Sequence, residues 1–98
     1  MKPGSRDKKY HILITGLELE ELHRFTGDMV EAFGLDRRVE NYQGKREIGF
    51  WPWDLDCLED VTSMALMDEA AYPGKSGPGY EAMAVLHKRL KQLRAKEE

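Results

Sequence analysis

Four carboxylates and the chain's single thiol crowd into residues 54–60: Asp54, Asp56, Cys57, Glu59 and Asp60. On a helix, Asp56 shares a face with Glu59 or Asp60, so two carboxylates could converge on a cation or a water. Acidic residues are also the ordinary choice for the positively polarised first turn of a helix. That second reading accounts for the cluster without a metal. Cys57 lies in the same turn, where the helix dipole favours a thiolate. The neighbouring carboxylates disfavour another negative charge and act at shorter range, so Cys57 reads as a small packed residue and not as a nucleophile. His11, His23 and His87 have no metal-ligand spacing with one another or with Cys57. We therefore assign no catalytic residue, no metal ligand and no cofactor from the sequence.

Two other groups of residues suit binding. Gly74-Lys75-Ser76-Gly77 places glycine amides beside a cation at a helix start, which favours an anion. It is not a Walker loop, because Glu69 stands where the first glycine is required and no strand precedes it. Lys75, Ser76 and Gly77 are a weak anion-binding candidate, against the plain reading of a linker. The second group is aromatic. Phe50, Trp51 and Trp53 put three large rings around one proline, and a small core cannot take all three. Tryptophan is enriched in contact surfaces, which makes Phe50, Trp51 and Trp53 the candidate partner-binding residues.

The elements that hold these groups follow from local patterns. Tyr10, Ile12 and Ile14 alternate as one face of a strand, with His11 and Leu13 on the other; apolar groups on both sides point to a central strand. Thr15 and Glu18 fit a capping box. A helix is expected from Leu17 to Phe33, with Leu22, Phe25, Met29, Ala32 and Phe33 inward and Gly34 as its left-handed stop. Residues 36–50 read as a hairpin turning near Gly44, with an irregular first arm because Val39 and Tyr42 differ in parity. Trp51, before Pro52, must be extended. Asp54 then caps a helix from Leu55 to Glu69. Residues 72–79 break the chain, and a last helix runs from Tyr80 to Lys96. The expected order is β-α-β-β-α-α, an α+β fold with a small three-stranded mixed sheet and helices packed on one face. Residues 10–98 form one domain behind a flexible tail, residues 1–9.

Composition narrows the function classes. Hydrophobic residues make up 41% and charged residues 34%, which is globular. A net charge of −3 argues against a general nucleic-acid binder. One cysteine offers no internal disulfide, and the apolar run ending at Ile14 is too short for a signal peptide or a membrane span. A cytoplasmic protein without a membrane partner is expected. Residues 54–69 carry six acids and no base, and residues 88–96 carry five bases. The best reading is a non-enzymatic interaction or regulatory protein that meets a protein partner or a second copy as a homodimer. The alternatives are a nucleic-acid-binding module using the basic tail and the C-terminal helix, or an anion-binding domain at residues 72–79.

Overall fold

The structure, a computed structural model, describes residues 9–29 and 34–95, apart from the side chain of Arg94. Along the chain lie β1 (Tyr10–Ile12), α1 (Gly16–His23), a 3-10 turn (Thr26–Met29), α2 (Leu35–Asn41), β2 (Ile48–Phe50), α3 (Pro52–Met67), a second 3-10 turn (Pro73–Lys75) and α4 (Pro78–Ala95). The expected tail falls outside the described residues except for Lys9. So do residues 30–33 and the expected end of the last helix at Lys96.

The α+β class holds, but among the described residues the sheet has two strands and not three. β1 and β2 pair antiparallel, with Tyr10 opposite Phe50, His11 opposite Gly49 and Ile12 opposite Ile48. The missing strand is α2. Leu35 and Val39 are fully buried and Tyr42 packs on the core. Their spacing of four and then three is the helical repeat, and the same step spoils a strand alternation. Gly34 is left-handed as expected (φ 75°), and α2 starts directly after it. The loop into β2 is pinned by Tyr42, whose hydroxyl accepts from the Ile14 amide at 3.2 Å and donates to the Arg46 carbonyl. With one partner strand, β1 is not central. Tyr10, Ile12 and Ile14 are buried, while His11 and Leu13 face outward.

α1 ends at His23, short of the expected Phe33. The Arg24 and Phe25 amides bond three residues back, to Glu21 and Leu22, and Asp28 repeats this to Phe25. The Thr26 hydroxyl competes for the His23 carbonyl at 3.4 Å, and Gly27 adds no helix propensity. Leu22 and Met29 are buried as expected and Phe25 packs against the core. Ala32 and Phe33 lie outside the described residues. The Thr15 capping box is not made: Thr15 forms no side-chain cap bond. Glu18 takes Arg89 instead at 2.5 Å, and Arg89 also donates to the Leu13 carbonyl at 2.8 Å. This clamps α1 to α4.

α3 begins two residues before the expected cap. Trp51 is extended as expected (φ −78°, ψ 164°). Pro52 opens the helix, where its missing N–H costs nothing. Asp54 sits inside the first turn and reaches back to the Trp51 amide at 3.0 Å. The helix stops at Met67, so Asp68 and Glu69 stand beyond an end whose dipole opposes acids. α3 and α4 pack against each other, with Leu55, Leu58, Val61, Ala65, Met83, Leu86 and Leu90 buried. Each fully buried leucine contributes roughly 1.5–3 kcal/mol. Inside this seam the Thr62 hydroxyl lies 2.8 Å from the Leu58 carbonyl and 2.7 Å from His87 Nδ1. A hydroxyl has one hydrogen, so donation to Leu58 requires His87 to present Nδ1–H.

Candidate functional site

The joint between β2 and α3 separates the three aromatic candidates. Phe50 goes fully into the core opposite Tyr10. Trp51, half-buried, and Trp53, 46% exposed, stay outside. An extended residue, a proline and a first-turn residue bring their rings together, stacked at 5.5 Å between centroids and 13° from parallel. The Lys9 ammonium lies over the Trp51 ring at 5.3 Å, a cation–π contact.

From Trp53 the outer face of α3 continues through Cys57, Asp60, Met64 and Met67, at steps of four and three. Met64 and Met67 are 71% and 70% exposed, Asp60 is exposed and Cys57 is half-buried. The stripe is about 21 Å long at the helical rise. Leu66, and not Met64, is the residue that turns toward the core. The sequence suggests Met64 and Met67 as soft apolar surface, with Met64 or Leu66 inward, but does not by itself join them to the Trp53 face; the spacing was the signal.

Asp54 leaves the acidic cluster for the interior. Asp54 is fully buried and accepts from Arg38 Nη2 at 2.7 Å and from the Trp51 amide. Its Oδ1 has no hydrogen-bond partner among the described residues. Arg38 Nη1 also donates to the Gly49 carbonyl at 3.3 Å, so one guanidinium links α2, β2 and α3. Among the described residues no three His, Cys, Asp or Glu side chains gather as metal ligands. His23 Nε2 donates to the Val39 carbonyl at 2.8 Å, joining the end of α1 to α2.

At residues 72–79, Lys75 and Ser76 are exposed, and Gly77 (φ 108°) leads into α4. The chain's own carboxylates already face this region. Glu69 accepts from the Gly74 amide at 3.3 Å. Glu21 lies against the start of α4, so close that a Cβ on Gly79 would stand 2.8 Å from its Oε2. Glu21 Oε1 also accepts from the Tyr72 hydroxyl and from Arg24 Nη1, both at 2.7 Å. Burial raises the Tyr72 hydroxyl well above the usual tyrosine range, and the hydrogen bond and negative charge of Glu21 push it the same way. Tyr72 packs between Phe25 and Tyr80, at 6.3 and 5.8 Å, with Arg24 over its ring.

A second concave feature went unread in the sequence. An open cleft of about 570 Å³ lies between the outer face of the sheet, α2 and the loop before β2. Its lining includes Lys9, Arg37, Arg38 and Arg46, with His11 and a single carboxylate, Glu47. His11 and Lys9 pack over Gly49, where a Cβ would stand 3.1 Å from His11 Nε2 and from Lys9 Cδ. The expected basic surface on α4 is partly used, since Arg89 is held by Glu18; Lys88 and Lys91 remain exposed. The pairs Arg37-Arg38 and Lys45-Arg46 were visible, but only α2 brings Arg37 and Arg38 alongside Arg46.

Among the described residues, no helix is long and apolar enough to cross a membrane. The chain matches no protein-family model, no curated protein and no solved structure.

Proposed function

We propose that this protein is a non-enzymatic interaction module whose contact surface is the Trp51–Trp53 stack with the outer face of α3. One observation carries this reading: Trp53, Met64 and Met67, three large apolar side chains, stand exposed in a row on one helix. Scattered single exposures are normal on a protein surface, whereas large apolar side chains aligned on one helix face mark a contact site. Tryptophan supplies anchoring area, and methionine adapts to a partner's shape.

Charge decides the occupant. Asp60 lies inside the row, and α3 carries no Lys or Arg. A two-fold pairing of this face would bring each Asp60 toward its own copy, which like-charge repulsion opposes. A partner helix with an apolar stripe and flanking Lys or Arg satisfies both the apolar row and the acids. The homodimer expected from the sequence is therefore not the arrangement favoured for this face. Phe50 supports the joint from inside, and Trp51 and Trp53 make the contact.

Calorimetric titration with a synthetic leucine–lysine amphipathic helix tests this reading, with a leucine–glutamate helix as the control. The lysine helix binds and the glutamate helix does not. Binding is lost in a Trp53→Ser, Met64→Ser, Met67→Ser variant that keeps its circular dichroism and melting transition. Equal binding of both peptides, or unchanged binding by the variant, contradicts it.

A further inference from the structure

The cleft beside α2 has no role in the surface just described, and its charge is opposite. Lys9, Arg37, Arg38 and Arg46 reach it from the start of β1, from α2 and from the loop before β2. Arg38 is neutralised from behind by Asp54. Among the described residues, neither Arg37 nor Arg46 has an acidic partner, and both are exposed. Among the described lining residues, Glu47 is the one group that opposes an anion. Among the described residues, Arg37 and Arg46 thus bring cations without an acidic partner to one concavity of a chain whose net charge is −3.

We infer that this cleft binds a small phosphate-bearing ligand. Three features set the class. Lys9, Arg37 and Arg46 surround the space with more positive charge than one carboxylate satisfies, so the ligand carries at least two negative charges. Guanidinium groups match phosphate oxygens through paired N–H donors. The volume lies within the range of small-molecule sites. Asp54 and the Gly49 carbonyl fix the Arg38 fork before any ligand arrives, and the lack of a side chain at Gly49 lets His11 and Lys9 lie close against the backbone there. The Lys75 loop is the poorer candidate because Glu69 and Glu21 already face it.

Isothermal titration of the full chain with inorganic pyrophosphate at low ionic strength tests the inference. Pyrophosphate binds, and added salt weakens it. Arg37→Ala and Arg46→Ala each weaken it about tenfold, the scale of one lost charge-assisted contact. Lys75→Ala leaves it unchanged. Circular dichroism confirms that the variants fold. A flat titration overturns the inference, as does loss of binding in Lys75→Ala or retention in the Arg37→Ala, Arg46→Ala double variant. A short oligothymidylate forms the second arm. If it binds far more tightly than pyrophosphate, with a steep logarithmic salt slope, the cleft tracks the phosphates of a strand and the small-ligand assignment falls.

Discussion

Arg38 and Asp54 form a 2.7 Å ion pair in which the carboxylate is fully buried and the guanidinium side chain is 35% exposed. The pair joins α2 to the first turn of α3, and the same Asp54 carboxylate accepts from the Trp51 amide. The two partners have unequal consequences. Arg38→Met strands a buried carboxylate whose remaining donor is the Trp51 amide, and costs about 3 kcal/mol, the low end for a broken buried pair because Arg38 is partly solvated. Asp54→Asn leaves a half-exposed cation that water can reach, and costs less, about 1–2 kcal/mol. Urea unfolding of both single variants and the double variant measures the coupling.

Gly44 and Gly27 respond oppositely to alanine. Gly44 holds φ +76°, and a Cβ there would stand 2.9 Å from the Ile14 carbonyl oxygen and 3.1 Å from Leu19 Cδ2. Left-handed strain alone costs roughly 1–2 kcal/mol, and the backbone clash adds to it. Gly27 has open space around it and no positive φ. Gly27→Ala is neutral or stabilising by up to about 1 kcal/mol, through the unfolded chain. Melting temperatures of the two variants give the comparison.

Tyr72 makes stability depend on alkaline pH. Its hydroxyl is raised above its ordinary value of 10.0, first by burial and then by Glu21. Between the unfolded and folded values, the folded state holds a proton that the unfolded state has lost. The contribution is therefore complete below about pH 10 and falls as pH rises beyond it. Tyr72→Phe loses a hydrogen bond to a charged group, about 1.5–3 kcal/mol at neutral pH. The difference in stability between wild type and Tyr72→Phe shrinks above about pH 10. A difference that stays constant to high pH contradicts the assignment.

Much of this fold was legible, and the failures share a cause. The alternation of Tyr10, Ile12 and Ile14 gives β1, and Ile48 and Phe50 give the inner face of β2. The X-Pro rule fixed Trp51 as extended. The α2 helix was misread because Leu35, Val39 and Tyr42 are few and separated by charges, so a hairpin and a helix competed over a short window. The helical step lay in the same residues. α1 was read too long because apolar spacing carries no record of Thr26 capturing a carbonyl. Phe50, Trp51 and Trp53 were named together because three rings exceed a small core, and the spacing alone did not say that Phe50 is the ring that goes inside. The cleft was not found, since its cations come from segments that only the α2 turn assembles.

The α3 face also predicts an assembly state. With Asp60 in its centre, the face repels its own copy, and light scattering during size-exclusion chromatography gives the monomer mass across concentration. A dimer that dissociates on Trp53→Ser would show that the face pairs with itself despite the acid.

The central claim is that the row from Trp53 to Met67 receives a basic partner helix. Two-dimensional NMR of the isotopically labelled chain, titrated with the leucine–lysine helix, tests where contact occurs. The account predicts that the Trp53 indole N–H, the Asp60 amide and the Met64 and Met67 methyl groups shift, while His11, Arg37 and Gly49 do not. Shifts confined to the cleft, or none on α3, would contradict it.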